Sequence, residues 1–351
     1  MQSVIIFLVV LSALVIIHEL GHFVTARAFG IKVLEFGIGY PPKIFGLRWG
    51  KTIYSLNILP LGGFVKLLGE EASSHPNSLA SKGILTRSIV IGSGAMMNLI
   101  LPIILFTVVF MVPKETIVGL VQIDEVNAGS PAETAGLQSK DIIINVDGHN
   151  IHNTGDLAYR LQLKLGGTSN WLVKRGADTK QISLVPRWRP PMNEGPTGIT
   201  VRMIMQHWDN VSYPFFKAFP MSIQRTGETL ILVRNEVTKW IIGSAKPMLT
   251  GPIGIAQATG EVARVGGIMS LIQFAGLLSI NLAILNILPI PMLDGGKLMF
   301  LGIEVVRRGK KIPPEKEGLV HLIGFTSLIL FAVVVSYFDI LRIMRGESII
   351  G

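Results

Sequence analysis

The sequence contains no cysteine. Disulfides and thiolate zinc sites are thereby excluded, and the redox compartment cannot be read from cysteine usage. Charge is scarce as well: Asp, Glu, Lys and Arg make up 16% of the 351 residues, whereas 49% are hydrophobic. A soluble domain carries about 25% charged residues, and the mean hydropathy of +0.51 argues against one here. Carboxylates are the scarcer sign, 23 against 32 Lys and Arg, giving a net charge of +9. Nucleic acid is one reason for such a balance. In this chain, however, the basic residues gather beside apolar runs, the positive-inside pattern of membrane proteins, so no nucleic-acid partner is expected.

The long apolar runs are the main feature. Residues 4–28, 89–112, 268–288 and 319–338 each read as a membrane span. No basic residue precedes the first run, and that run is longer than the apolar part of a signal peptide, so it is expected to be retained. The loop after it carries Lys32, Lys43, Arg48, Lys51, Lys66, Lys82 and Arg87 against three glutamates. The loop after residue 296 carries Lys297, Arg307, Arg308, Lys310, Lys311 and Lys316. Both loops are expected to be cytoplasmic. The expectation is a multi-pass protein of the plasma (inner) membrane with both termini outside and the lipid bilayer as its partner.

Inside the first run stands His18-Glu-Leu-Gly-His22. Residues four apart share one face of a helix, so the two imidazoles can bind one Zn²⁺ and leave room for a third ligand and a water. Glu19 is placed to act as general base toward that water. Ionisable groups within a span are costly and mark functional sites by default. The third ligand is expected from the segment after the third span, Asn286-Ile-Leu-Pro-Ile-Pro-Met-Leu-Asp-Gly-Gly296, where two prolines and two glycines break the helix. Irregular backbone at membrane depth must line a cavity or be buried in protein, and Asp294 is the carboxylate it carries. His321, near the start of the fourth span, is within possible reach of the metal but is read as an ordinary interfacial residue. Asn98, in the second span after Gly92-Ser-Gly-Ala-Met-Met97, either bonds a neighbouring helix or holds substrate backbone.

Between the first two spans, residues 35–42, 51–59 and 61–67 read as short strands, a small sheet with an edge for an extended substrate. Residues 114–205 are the least membrane-like part. They carry Gly129-Ser-Pro-Ala-Glu-Thr-Ala-Gly-Leu137 and Asp141-Ile-Ile-Ile-Asn-Val-Asp-Gly148, and these resemble a PDZ domain of the bacterial protease-associated type. Such domains capture peptides by strand addition. The carboxylate-binding turn is then expected at Gly198 and Ile199; a size filter or spacer is the other role open to the domain. Residues 206–267 alternate aromatic, apolar and basic side chains. Residues 221–242 within them read as an amphipathic helix, either on the outer membrane surface or packed on the preceding domain.

These features together resemble the site-2 protease family of intramembrane zinc metalloproteases, of the bacterial RseP type, over nearly the whole chain. Gly251-Pro-Ile-Gly-Ile255 and the Gly37/Gly39 hairpin belong to the likeness. The resemblance implies a polytopic α-helical membrane protein of four spans with a membrane-associated β-hairpin sheet and an inserted α+β PDZ domain. By position it implies His18, His22 and Asp294 as zinc ligands, Glu19 as catalytic base and Asn286 as a substrate contact. It implies cleavage of single-span transmembrane substrates, such as anti-sigma factors or signal-peptide remnants, after trimming by an upstream site-1-type protease. The expected organisation is 1–113 for spans one and two with the hairpin loop, 114–205 for an extracytoplasmic PDZ domain, 206–267 for a membrane-surface segment, and 268–351 for spans three and four. Two departures stand out: Ala95 occupies the place of the proline usual in the second span, and one PDZ domain is found where enterobacterial members have two. The competing class is a non-catalytic PDZ receptor with a vestigial metal site. A transporter is disfavoured by the few spans and the lack of an inverted repeat.

Overall fold

The computed structural model describes residues 2–70, 75–247 and 249–347, with Leu61 by its backbone only. Its contacts divide the chain into two units, Met1–Val109 with Leu249–Gly351, and Phe110–Met248. Among the described residues four helices are long and apolar enough to cross a membrane: Gln2–Ala28, Ile84–Met111, Pro252–Ile287 and Pro314–Met344.

In the first unit these are α1, α2, α6 and α8, joined by the short helix α7, Asp294–Val306. Their burial is the reverse of that in a soluble bundle. α1 turns only Leu14, His18, Gly21 and Ala26 fully inward, while Ile5 and Val9 are exposed. α2 buries Ser93, Gly94, Ala95 and Asn98, while Ile100 and Ile104 face out. Small and polar residues at helix contacts with aliphatic residues outside is what a lipid environment selects. α6 is interrupted at Gly267, whose φ of 65° and ψ of −164° are not helical. The apolar span begins at the next residue, where the sequence pattern places it.

The loop after α1 forms β1, Val33–Trp49, and β2, Thr52–Leu67, which pair antiparallel. The register folds both strands on themselves. Lys43 to Trp49 pair with Asn57 to Thr52, whereas Glu35 faces both Ile53 and Lys66, and Phe36 both Tyr54 and Val65. The runs therefore lie in the order 43–49, 52–59, 33–40, 62–67. The last run lies along α1: Ser12 Oγ donates to Pro60 O at 2.9 Å, and a Cβ on Gly62 would fall 2.7 Å from Val15 Cγ1. Beneath it Ala26, Ile31, Val33, Leu67, Leu79, Val90, Ile91 and Leu301 form a core that ties this sheet to α1, α2 and α7.

The second unit is a six-stranded sheet in the order β7-β6-β4-β3-β8, with β5 on β4. The strands are β3 Lys114–Val126, β4 Ile142–Val146, β5 His149–Asn150, β6 Ser169–Arg175, β7 Asp178–Leu184 and β8 Ile199–Val211. Alternate residues Val121, Ile123, Ile143, Trp171, Val173, Ile182 and Leu184 meet Ala132 of α3, Pro131–Thr134, and Leu157 and Leu161 of α4, Thr154–Leu163, in one core. β8 runs to Val211, beyond residue 205, because residues 207–211 pair with 114–118 of β3. The following helix, α5, Phe215–Ile241, sets its polar side on α4. Glu228 accepts from Tyr159 Oη at 2.8 Å and Arg160 Nη1 at 2.6 Å, and Asn235 Nδ2 donates to Gln162 O at 2.7 Å. Its apolar residues Phe216, Phe219, Ile223, Leu230 and Ile241 are exposed. Residues 252–266 are helical as well and meet the apolar span at the break at Gly267.

Candidate metal centre

The i,i+4 spacing on α1 turns both imidazoles to one side, against α2. That approach depends on two glycines. A Cβ on Gly21 would lie 2.4 Å from Ser93 O, and one on Gly94 would lie 2.4 Å from His22 Nε2 and 2.6 Å from His18 Nε2. Thr25 and Ser93 then share a hydrogen bond of 2.9 Å between the helices.

Asp294 arrives from the far end of the chain. α6 ends at Ile287, and Met292 takes a φ of 84° before α7 begins at Asp294. The turn folds tightly on itself: a Cβ on Gly295 would lie 2.1 Å from Leu288 O, and one on Gly296 2.5 Å from Ile290 O. Both glycines are therefore steric requirements. α8 supports the turn, since Met292 N–H donates to His321 Nδ1 at 2.7 Å. His321 thus does more than an interfacial residue would.

The result is a triangle. His18 Nε2 and His22 Nε2 are 3.2 Å apart, and Asp294 Oδ2 is 3.1 Å from the first and 3.2 Å from the second. Tetrahedral ligands at ~2.0–2.1 Å from Zn²⁺ stand about 3.3–3.4 Å apart, so the three atoms suit that ion. Asp294 Oδ2 is buried, and among the described residues no donor meets it with hydrogen-bond geometry. His22 Nδ1 donates to Val90 O at 2.8 Å, which fixes the tautomer with its Nε2 lone pair in the triangle. The donor set and its spacing fit a zinc ion with its fourth position open.

Glu19, partly exposed, lies in electrostatic reach of both histidines, Asp294 and Lys297. Asn98 and Asn286 also converge here: each Nδ2 is 3.4 Å from His18 Nδ1. Of the residues the sequence singles out, His18, Glu19, His22, Asn98, Asn286 and Asp294 thus share one neighbourhood. Gly198 and Ile199 belong to the other unit. Gly198 has a φ of +75° and its carbonyl accepts from Asn127 N at 2.9 Å, and Ile199 pairs with Val126 at the start of β8. The close approach at Gly94, the bond that His321 makes to the turn and the pair Arg87–Glu304 escape the sequence reading. For Gly94, a small residue four before Asn98 is the signal that was there to use.

The model of peptidase family M50 matches residues 6–331. The chain belongs to that family. Individual relatives extend the match almost end to end. The zinc metalloprotease RasP of Oceanobacillus iheyensis is 28% identical, with 98% of this chain and 100% of the relative covered. The regulator of sigma-W protease RasP of Bacillus subtilis is 28% identical over 97% of this chain and 99% of its own length. A Clostridium perfringens protein is 35% identical over 95% and 97%. With four membrane-length helices and this family, the chain is a multi-pass membrane zinc metalloprotease.

Proposed function

We propose that this M50 protein is an intramembrane endopeptidase, with His18, His22 and Asp294 as zinc ligands and Glu19 as catalytic base. The observation that carries the reading is the triangle of three ligand atoms, 3.1–3.2 Å apart, built inside apolar helices. Bound zinc supplies Lewis acidity, lowering the pKa of a water toward 7 and polarising a scissile carbonyl. Glu19 takes the proton from the attacking water and delivers it to the leaving amine. His22, held by Val90 O, keeps its ligand nitrogen aimed. Asn286, partly exposed at the end of α6, holds the substrate backbone.

A helical substrate hides its carbonyls in i to i−4 bonds and must be unwound first. The run 62–67 pairs with 33–38 on one side only. Its free edge, beside α1, is the template on which an extended substrate segment pairs. Transmembrane segments of single-span proteins are the substrates in this reading, which the name of one relative, regulator of sigma-W protease, supports. In this reading the chain acts in regulated intramembrane proteolysis, downstream of a site-1-type protease.

The basic loops support a topology with residues 31–87 and 297–316 in the cytoplasm and the termini and the sheet unit outside. We read that unit as a single PDZ domain. β8 is an edge strand beside α4, the arrangement that strand addition uses, with Gly198 and Ile199 opening the groove. The exposed apolar side of α5, with Phe216 and Phe219 at its start, lies on the outer leaflet.

The test is cleavage of a single-span substrate by purified protein, beside Glu19→Gln, with zinc counted in both. We expect zinc in both and a rate lower by about 100- to 10,000-fold in the variant. Equal cleavage by both proteins removes Glu19 from the mechanism, and absence of zinc from both removes the centre.

A further inference from the structure

The geometry points to Asn98 as a positioning residue of the metal centre: its side-chain carbonyl accepts the Nδ1 proton of His18 and so fixes the tautomer that leaves Nε2 free for zinc. This rests on the zinc-site reading above and assigns Asn98 a role other than touching substrate.

An imidazole that gives its Nε2 lone pair to a metal carries a proton on Nδ1, and that proton needs an acceptor. His22 meets the need with Val90 O at 2.8 Å. At His18 the partners are two amides: Nδ2 of Asn98 and Nδ2 of Asn286, both at 3.4 Å from Nδ1. That distance is long for a hydrogen bond, and two N–H groups facing a protonated nitrogen would repel it. Turning an amide about its last bond exchanges oxygen and nitrogen at nearly the same positions. For Asn98 the turn sacrifices no bond of Oδ1, which is buried and has no donor among the described residues where it stands.

Asn98 is also the better held of the two. It is 0% exposed, and its main-chain oxygen accepts from Ser279 Oγ of α6 at 2.8 Å. Asn286 is partly exposed at the end of α6, where the helix gives way to the turn before Asp294. Gly94 and Asn98 are four apart, so one face of α2 both admits the two imidazoles and meets the Nδ1 of the first. A rigid, buried acceptor suits a ligand that must not rotate, and an accessible amide suits a group that exchanges partners with substrate.

The experiment uses full-length protein in detergent micelles. Zinc affinity is measured against a chromophoric chelator, and the ligand field by the d–d absorption of the Co²⁺-loaded protein. Asn98→Leu removes the acceptor, and we expect zinc to bind about 10- to 100-fold more weakly with a changed cobalt spectrum. Asn98→Asp keeps an acceptor at the same place and should hold zinc within about threefold of wild type. Asn286→Leu should leave affinity and spectrum as they are while raising the KM for substrate. Ser279→Ala, which touches only the main chain of Asn98, should leave zinc binding unchanged. Wild-type affinity and spectrum in Asn98→Leu overturn the assignment. So does an Asn98→Asp protein that is zinc-free or unfolded, since a buried carboxylate without a donor beside it is penalised. Zinc bound equally by wild type and His18→Ala would bring down the metal-site reading itself, a separate result.

Discussion

Arg87 and Glu304 form a buried ion pair, Nη2 to Oε1 at 2.6 Å, between the first turn of α2 and the last turns of α7. Side-chain exposures of 11% and 8% leave little water to replace either partner. α7 is the helix that Asp294 opens, so the pair fastens the carrier of one ligand to the helix that packs on the other two. Removing one partner strands a charge, at a cost of about 3–5 kcal/mol. Glu304→Leu and Arg87→Met should each lower the melting temperature markedly and release zinc. The double variant should recover most of the loss, because apolar replacement of a whole buried pair is often neutral. Additive losses in the double variant would show that the two residues act independently.

Gly94 stands against the ligand atoms, with 2.4 Å to His22 Nε2 and 2.6 Å to His18 Nε2 for an added Cβ. Gly94→Ala should therefore weaken zinc binding about 100-fold or more, with the helices still formed. Gly92→Ala is the control, because a Cβ there meets only Leu298 Cδ1 at 4.0 Å. Zinc titration of both proteins decides the matter. Normal affinity in Gly94→Ala would mean that α1 and α2 part easily at the site.

These two sites show where sequence reasoning reaches and where it stops. His18 and His22 are legible because helical periodicity alone puts them on one face, and the apolar setting makes their cost visible. Asp294 is legible because prolines and glycines announce a broken helix that must be buried. Arg87 and Glu304, 217 residues apart, are each ordinary members of basic or mixed loops until the fold joins them. The doubled register of β1 and β2 is hidden for a similar reason. Propensity gives the strands, but Glu35 facing both Ile53 and Lys66 is decided by packing on α1. α5 illustrates a third case: its amphipathic pattern is plain, yet only the partners of Glu228 and Asn235 show that the polar side is the one docked.

Asp339 caps a helix other than its own. α6 begins at Gly251 without a side-chain cap, and Asp339 Oδ2 accepts from Gly251 N at 2.9 Å and Gly254 N at 2.8 Å. Its Oδ1 accepts from Arg342 Nη2 at 2.8 Å. The carboxylate satisfies amides that a helix start leaves bare and opposes the positive end of the dipole. Asp339→Ala should cost about 2 kcal/mol or more. Hydrogen exchange should rise at residues 251–255 and stay level in α1. Unchanged exchange at those amides would remove the cap from the account of how α6 is held to α8.

The docking of α5 on α4 should depend on pH through Glu228. Burial pushes its carboxyl up, but bonds from Tyr159, Gln224 and Arg160 outweigh burial and hold it below the ordinary glutamate value. Burial also keeps the Tyr159 phenol protonated well above its usual range, so it remains a donor to that carboxylate. A folded-state pKa below the unfolded one adds stability that is present above the unfolded value, about 4.3, and is lost as pH falls through the folded value. Between neutral pH and pH ~5 the contact should hold, and below pH ~4 it should loosen progressively. Exchange protection of the amides of α5, corrected for intrinsic rates, should follow that course in the wild type. Glu228→Gln has no charge to lose: its protection should be lower at neutral pH and nearly flat on acidification. Arg160→Met should fall between the two, since it removes one of the three bonds. Parallel curves for wild type and Glu228→Gln would show that another group governs the acid response of this contact.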